Sequence, residues 1–427
     1  MTSIKSEHRR MGRLAFLAIL LIFAGCSKAP AASSCSTTDF QATSYANSGS
    51  YSGNTMSLTV NGSLCGSAQY PNEPCVQVTI CSPSNPSNCQ TINNILLDTG
   101  SSGLRIFSSV ITVPLAPVQN NGNNLAECVQ FGDGSSEWGQ VQYAYVQLAG
   151  EPKVAMPIHT IDADYGTAPG PCSASQSFPD TSPAETGFNG ILGVGLFAQD
   201  CGSYCTHKSG NEQYYSCNGA SCSCGATVGV NAQVQNPVSL LPADNNGVIL
   251  QLPSVGASGT ASSLTGTLLL GIGTESNNVP SGVTAYQANG YGNFATQFTG
   301  YSSSYINSFI DSGSSILFFP SPTNGSLPDC SASHGSGWAG IYCPSSTQSF
   351  SATNAGASGA PSGSVSFSVG NGYTLFNSGN GVLANIGGSI GSSPLFDWGL
   401  PFFYGRNVYV GIEGMKSSLG TGPYWAY

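Results

Sequence analysis

Hydrophobic and polar residues alternate along several short stretches of the chain, which is the pattern of a strand with one buried face. The alternation is clearest at residues 56–60, 76–80 and 140–148. Two apolar runs end instead in a small polar turn, at residues 94–102 and 308–315. We therefore predict short strands joined by turns, and an all-β fold.

Two hairpins are predicted from the turn residues between these strands. The first joins residues 76–80 to residues 91–97 through a loop rich in Pro, Asn and Ser. The second turns at the Gly-Asp-Gly sequence of residues 132–134. A glycine-rich apolar stretch at residues 187–195 is expected to pass close to other backbone, because glycine leaves room for it.

The two apolar runs that end in turns share one pattern: a buried strand, an Asp, a hydroxyl residue and Gly-Ser. The turns are Asp98-Thr99-Gly100-Ser101 and Asp311-Ser312-Gly313-Ser314. We expect Gly100 and Gly313 to adopt a backbone conformation that is closed to other residues. Two copies in one chain predict two similar lobes, each of which lends one carboxylate to a shared site.

The length supports two lobes, because 427 residues exceed a single ordinary core. We place the lobes at residues 51–246 and 247–427. Only 7% of residues are charged, and Gly (55) and Pro (25) are plentiful, which is typical of β-rich extracytoplasmic proteins. The formal net charge of −10 argues against a nucleic-acid partner.

The beginning of the chain has the pattern of an export signal. A basic segment precedes an apolar segment at residues 14–23, which is too short to span a bilayer comfortably. The following Phe23-Ala24-Gly25-Cys26 resembles the bacterial lipobox, with Phe23 in place of the usual Leu. We predict a lipoprotein signal peptide at residues 1–25, a lipid on Cys26 and a flexible tether at residues 26–50. Ordinary signal cleavage nearby is the alternative.

The expected location is the bacterial cell envelope, at the outer membrane or facing the periplasm, with membrane contact through the lipid anchor only. If Cys26 carries lipid, fourteen of the fifteen cysteines remain, which permits seven disulfides. Cys81–Cys89 and Cys330–Cys343 are the predicted local pairs. A metal site is the alternative for the cluster formed by Cys201, Cys205, Cys217, Cys222, Cys224 and His207.

The order of these features resembles that of the pepsin-like aspartic peptidases, from about residue 76 to residue 414. That family has an Asp-Thr-Gly turn, a flap hairpin, a Phe-Asp-Gly-Ile-Leu-Gly segment, a second Asp turn and a closing apolar-Gly segment. The matching features here are Asp98, residues 131–135, residues 188–193, Asp311 and residues 398–403. Residues 266–272 resemble the strand that opens the family's second lobe.

The resemblance implies a bilobal pepsin-like acid-protease fold, with two β-barrel-like lobes and a cleft between them. It implies an aspartic-type endopeptidase, in which Asp98 and Asp311 share one proton and activate a water molecule against a polypeptide substrate. No cofactor and no metal are expected, and the protein is expected to be a monomer.

The hydroxyl residues of the two turns have expected supporting roles. Thr99 and Ser312 would lock the facing turns together. Ser101 and Ser314 would bind the outer carboxylate oxygens and fix their orientation.

Three residues depart from the family pattern. The flap residue that is usually Tyr is Phe131, in the predicted flap tip Phe131-Gly132-Asp133-Gly134. The family's Trp, seven residues after the first Asp, is Arg105 here, and an aliphatic position of the closing segment is Asp397. The Tyr and Trp positions normally hydrogen-bond to each other at the cleft. Here Arg105 could replace that link by a cation–π contact with Phe131.

Two other functions remain as alternatives. The altered flap favours a catalytically inactive pepsin-like surface lipoprotein that binds peptide or glycan, whereas the two intact Asp turns oppose it. Serine hydrolysis is suggested by Gly387-Gly388-Ser389-Ile390-Gly391, although about one such match is expected by chance in a chain this rich in Gly and Ser. No recognisable motif places His159, His207 or His334 as its base.

Overall fold

The fold was analysed in a computed structural model of the chain. The structure describes residues 53–66, 70–224, 227–298, 306–322, 324–389, 391 and 395–427, with only the backbone of residue 224. The predicted signal peptide, the lipidated Cys26 and the tether at residues 26–50 lie outside these residues.

Regular structure in the described residues is mostly β-strand, so the prediction of an all-β fold is confirmed. The α-helices there are four or five residues long: Pro183–Thr186, Ser203–His207, Ser331–His334 and Gly372–Phe376. Short 3-10 helices lie at Ser108–Val110, Gly170–Cys172, Val230–Ala232, Pro237–Leu240, Ser336–Trp338 and Leu400–Phe403. No helix in this part of the chain is long and apolar enough to cross a membrane.

The strands are short, with a few long hairpin strands among them. Before residue 230 they are β1 (Thr55–Val60), β2 (Pro74–Ser82), β3 (Asn85–Asp98), β4 (Ser102–Phe107), β5 (Ala116–Pro117), β6 (Gln119–Asn120), β7 (Asn123–Gln130), β8 (Ser135–Gln147), β9 (Val154–Ile161), β10 (Phe178–Pro179), β11 (Gly190–Val194), β12 (Tyr214–Asn218) and β13 (Ser221–Cys224). After it they are β14 (Gly247–Leu252), β15 (Thr260–Ala261), β16 (Leu264–Leu270), β17 (Ala285–Gln287), β18 (Phe294–Phe298), β19 (Ile306–Ile310), β20 (Leu317–Phe318), β21 (Gln348–Ala355), β22 (Ser362–Val369), β23 (Val382–Leu383), β24 (Gly387–Gly388), β25 (Leu395–Trp398), β26 (Arg406–Gly411), β27 (Lys416–Ser417), β28 (Gly420–Thr421) and β29 (Tyr424–Ala426).

Two large sheets contain most of these strands. An 18-stranded sheet takes β1 to β14 together with β16, β17, β26 and β29. A seven-stranded sheet has the order β22-β21-β18-β19-β25-β20-β24. The strand that ends in Asp98 lies in the first sheet, and the strand that precedes Asp311 lies in the second. The predicted lobe boundary at residues 246 and 247 stays a prediction, since five strands after it, β14, β16, β17, β26 and β29, join the first sheet.

The strands around each Asp turn repeat the same local topology. β3 runs parallel to β11, and β11 also pairs antiparallel with β4, the strand that leaves the first turn. In the second sheet, β19 runs parallel to β25, and β25 pairs antiparallel with β20. The predicted close approach of the glycine-rich stretch to other backbone is confirmed, because a Cβ on Gly193 would lie 2.8 Å from the Ser102 backbone N. Each turn is therefore braced by a third strand.

The strand ends that carry the turns are fully buried. Leu96, Leu97 and Ile310 have no exposed surface. Burial of one such side chain is worth about 1.5–3 kcal/mol. The apolar residues before each Asp therefore fix the position of its backbone. A site shared by two turns requires such fixed positions.

The two predicted local disulfides, Cys81–Cys89 and Cys330–Cys343, are confirmed. The other pairs in the described residues are Cys65–Cys75, Cys128–Cys172, Cys201–Cys205 and Cys217–Cys222. The last two pairs rule out the alternative of a metal site in that cluster, since a disulfide sulfur is not a thiolate ligand. Disulfides of this number indicate an oxidising, extracytoplasmic compartment.

Thiol titration of the denatured mature protein is expected to find no free thiol. Six pairs account for twelve of the fourteen cysteines. Cys35 lies outside the described residues, as does the side chain of Cys224. Detection of two or more thiols per chain by a chromogenic disulfide reagent would contradict complete pairing.

Candidate functional site

The two Asp turns, 213 residues apart in the sequence, lie against each other. The Thr99 N–H donates to the Ser312 Oγ at 3.1 Å, and the Ser312 N–H donates to the Thr99 Oγ1 at 2.9 Å. Each hydroxyl also donates across the gap, from Thr99 Oγ1 to the Ile310 carbonyl at 2.8 Å and from Ser312 Oγ to the Leu97 carbonyl at 2.7 Å. These four reciprocal bonds fix one turn relative to the other, which is the role predicted for Thr99 and Ser312.

The two carboxylates have equivalent bonds within their own turns. Asp98 Oδ1 accepts the Gly100 N–H at 2.7 Å, and Asp311 Oδ1 accepts the Gly313 N–H at 2.8 Å. At the other oxygen, Ser101 Oγ donates to Asp98 Oδ2 at 2.5 Å. Ser314 Oγ lies 2.8 Å from Asp311 Oδ2. Ser101 and Ser314 therefore orient the carboxyl groups, as expected.

Gly100 and Gly313 are required for a different reason from the predicted one. Neither residue has a positive φ, so the expectation of a backbone conformation closed to other residues was wrong. A Cβ on Gly100 would instead lie 2.6 Å from the Asp311 Cγ, and a Cβ on Gly313 would lie 2.9 Å from the Asp98 Cγ. Each glycine is therefore needed because the carboxyl group of the opposite turn lies directly against it.

The same geometry limits the distance between the two carboxyl groups. A Cβ on Gly313 would lie 2.9 Å from Asp98 Oδ1 and 3.2 Å from Asp311 Oδ1. The two oxygens are therefore no more than about 6 Å apart, within the range that one water molecule can bridge. Both residues are fully buried. Burial, then the charges of Asp98 and Asp397, raise the pKa of the Asp311 carboxyl well above its ordinary value.

The predicted flap is a hairpin of β7 and β8 with its tip at residues 131–134. The Phe131 N–H donates to the Ser135 carbonyl at 2.9 Å, and the Gly134 N–H donates to the Phe131 carbonyl at 3.0 Å. Gly134 has a φ of 85°, which favours glycine. The Asp133 carboxylate accepts the Ser135 N–H at 2.8 Å and closes the turn. Gly132 lies between these residues in the tip.

Tyr70 packs in one apolar cluster with Phe131 of the hairpin tip, and no sequence motif marks it. Burial, and after it the charges of Glu73, Asp133 and Asp311, raise the pKa of the Tyr70 phenol well above its ordinary value. The Tyr70 ring packs edge-on against Phe188, at 6.4 Å between ring centroids. A Tyr from the segment before β2 is thus buried beside the hairpin tip, in the same apolar cluster as Phe131.

Arg105 is buried, and it is not in a cation–π contact with Phe131. Its Nη2 donates to Asp200 Oδ2 at 2.9 Å and to Glu127 Oε1 at 3.2 Å, and its Nη1 donates to the Ser102 carbonyl at 2.9 Å. Only 2% of its surface is exposed. The expected stacking was therefore wrong, because the carboxylates of β7 and of the segment after β11 bind the guanidinium.

Phe131 is also more buried than a residue at a cleft mouth. It has 6% of its surface exposed and belongs to an apolar cluster with Tyr70, Phe107 and Phe188. The hairpin tip is therefore anchored by apolar packing at Phe131.

Three acidic residues and one His surround Arg105 beneath the hairpin. Burial alone would raise the pKa of Glu127, but the charge of Arg105 lowers it to about 2. Burial raises the pKa of Glu137 to about 8, with the charges of Glu127 and Asp98 adding to the effect. Burial also lowers the pKa of His159 to about 4. Glu127 is therefore the ionised partner of Arg105, and Glu137 and His159 are neutral at pH 7.

The histidines give no support to serine hydrolysis. His159 Nδ1 lies 3.6 Å from Glu127, inside the buried cluster. The His207 ring bonds to Thr206 and to the Ser203 carbonyl, and the His334 ring stacks on Tyr373.

Among the described residues, one group of potential metal ligands is close enough to hold an ion, namely Cys65, Glu73 and Cys75. The two cysteines of that group are joined by a disulfide.

Comparison with known families assigns the chain to one of them. The family described as "Protein of unknown function (DUF3443)" matches residues 50–427. The chain belongs to the DUF3443 family. No curated protein matches this chain. In this DUF3443 protein, both Asp turns, the hairpin and the Arg105 cluster lie inside the matched region.

Proposed function

We propose that this DUF3443 protein is an aspartic-type endopeptidase with a bilobal pepsin-like fold. The observation that carries the proposal is the reciprocal bonding of Thr99 and Ser312, which holds Asp98 and Asp311 together in the buried interior. Two buried, mutually repelling carboxyl groups are costly to keep in a protein that only binds ligands. Their cost is explained if the pair works as an acid and a base.

The proposed reaction assigns one role to each carboxyl group. Asp98 acts as the general base and takes a proton from a water molecule as the water oxygen attacks the peptide carbonyl carbon. Asp311 carries the proton that the pair shares and hydrogen-bonds to the carbonyl oxygen. Proton transfer to the amide nitrogen then accompanies cleavage of the C–N bond. The raised pKa of Asp311 supports this assignment.

The proposed location is the bacterial cell envelope. The disulfides support an exported chain. The lipobox-like sequence that ends in Cys26 supports a lipid anchor. The protein would then act on polypeptides at the membrane surface as a lipoprotein.

Hydrolysis of a denatured protein substrate is expected to depend on pH with a bell shape and a maximum on the acid side. The acid limb follows protonation of the base, and the alkaline limb follows loss of the shared proton. The measurement is the initial rate of new amine formation between pH 2 and 8. A pure protein that cleaves nothing in this range would refute the peptidase proposal.

An inactive binding module is the second candidate, because the flap residue Phe131 lacks a hydroxyl and is packed into an apolar cluster. In that case the wild-type protein would bind peptides or glycans without cleaving them. Equilibrium binding to an immobilised peptide and glycan array, run on the preparation used for the rate measurement, distinguishes the two candidates.

A further inference from the structure

A third buried carboxyl group, Asp397, is bonded to the dyad through one hydroxyl. Asp397 lies on β25 and has no exposed surface. Its Oδ2 lies 2.7 Å from the Ser314 Oγ, and the same Oγ lies 2.8 Å from the Asp311 Oδ2. Its Oδ1 has no hydrogen-bond partner among the described residues. The pepsin-like aspartic peptidases, which the sequence resembles, have an aliphatic residue at this position.

The Ser314 hydroxyl has one hydrogen but lies within hydrogen-bond distance of two carboxyl groups. A serine hydroxyl has one hydrogen, so Ser314 can donate to Asp311 or to Asp397 but not to both. The other contact is a hydrogen bond only if that carboxyl group is protonated and donates to the Ser314 Oγ. Both contacts are therefore hydrogen bonds only if at least one of the two acids is protonated.

Asp397 is the better candidate for the neutral acid. Ser314 is its one hydrogen-bond partner among the described residues, so an ionised Asp397 would be a nearly uncompensated buried charge. Asp311 accepts the Gly313 N–H at its Oδ1 and faces Ser314 at its Oδ2. The proton of Asp397 therefore points to Ser314, and the hydrogen of Ser314 points to Asp311.

We propose that Asp397 is a positioning residue that stays protonated, donates to Ser314, and thereby keeps the shared proton of the dyad on the inner Oδ1 of Asp311. The inference rests on the proposed peptidase function. If Asp397 lost its proton, the Ser314 hydrogen would turn toward it. Asp311 would then have to place a proton on its outer Oδ2 to bond to Ser314. That proton would no longer face Asp98 and the water molecule.

The surroundings of Asp397 favour its neutral form. Burial, and to a smaller extent the charge of Asp98, raise the pKa of Asp397, while the bond from Ser314 opposes them. The two strands that pair with β25 at this point, β19 and β20, carry no ionisable side chain. Asp98 and Asp311 are thus the ionisable groups that face it from the described elements packed against it.

Asp397→Asn and Asp397→Leu separate this role from simple packing. The Asn amide donates to Ser314 but cannot ionise. Activity at high pH is then lost only when the dyad loses its shared proton, and no longer when residue 397 loses a proton. We expect an active variant whose alkaline limb moves to higher pH by about 0.3 unit or more, the shift for two equally easy routes. Leu removes the donor, and we expect kcat to fall by about threefold to tenfold, as for the loss of one hydrogen bond. Identical pH profiles in the wild type and both variants would overturn the inference.

A second readout does not depend on activity. Asp397 in the unfolded chain ionises near its ordinary pKa of about 3.9, whereas the folded protein keeps the proton. The unfolding free energy of Asp397→Asn should therefore rise relative to the wild type as pH increases above about 4. A difference that is constant from pH 4 to 7 would refute a protonated Asp397. If the wild type cleaves nothing, the peptidase proposal fails, and this measurement alone decides whether Asp397 holds its proton.

Discussion

Replacement of Asp98 or Asp311 by Asn is expected to lower the rate of peptide hydrolysis by about 10³-fold or more. The amide keeps the shape of the side chain but cannot share the proton. Because the two carboxyl groups act as one unit, each single variant is expected to be nearly as inactive as the double variant. The measurement is kcat/KM at the pH optimum of the wild-type protein.

Two controls separate lost chemistry from lost structure. Asp164→Asn removes an exposed carboxylate that has no proposed role and should leave the rate within twofold. Asp311→Asn should unfold at the same or a higher denaturant concentration than the wild type at neutral pH, because the raised pKa of Asp311 shows that its ionised form is disfavoured in the fold. A stable single variant that keeps a tenth of the wild-type activity would contradict a two-carboxyl mechanism.

The two Asp turns could be predicted from sequence because their pattern is local. An apolar run that ends in Asp, a hydroxyl and Gly-Ser specifies both a buried strand and the turn after it. The hydroxyl bonds of Thr99 and Ser312 followed from the duplication, since two like turns can bond to each other reciprocally. The hairpin tip at residues 131–134 was predictable for the same local reason, its turn residues.

The reasons for particular residues were less predictable, because they depend on the opposite half of the chain. Gly100 and Gly313 were expected to allow an unusual backbone conformation, but each accommodates the carboxyl group of the opposite turn, which is 211 positions away for Gly100 and 215 for Gly313. Arg105 was expected at the cleft, where it could stack on Phe131, but its partners are Glu127 and Asp200, which no sequence spacing connects with it. Side chains on different strands find their partners only when the sheets are formed.

The contacts of Asp397 and Tyr70 could not be predicted from the sequence either. Asp397 was recognisable as an odd residue in an apolar segment, but its bond to Ser314 depends on the parallel pairing of β25 with β19. Tyr70 lies outside every motif, and it meets Phe131 and Phe188 only when distant parts of the chain pack together. Such tertiary contacts leave no periodic pattern.

Replacement of Arg105 by Ala is expected to lower the free energy of unfolding by about 3–5 kcal/mol at neutral pH, the usual cost of removing one partner of a buried ion pair. The variant leaves the Glu127 carboxylate buried without its cation. Chemical denaturation followed by tryptophan fluorescence measures the change. Arg406→Ala is the matched control, because that guanidinium lies over the Phe402 ring at 4.6 Å and has no carboxylate partner among the described residues. Arg406→Ala should lower the free energy of unfolding by about 1 kcal/mol.

The pH dependence of the stability lost in Arg105→Ala identifies the cause of that loss. Because the charge of Arg105 lowers the pKa of Glu127 to about 2, the pair stabilises the fold above the ordinary glutamate pKa of about 4.3, and the effect fades as pH falls toward 2. The gap between wild type and Arg105→Ala should therefore be larger at pH 7 than at pH 3. Adding Glu127→Gln to Arg105→Ala should recover part of the stability at pH 7. Equal losses at both pH values, with no recovery, would show that the charge of Glu127 does not cause the effect, and that Arg105 stabilises the fold through packing and its bond to the Ser102 carbonyl.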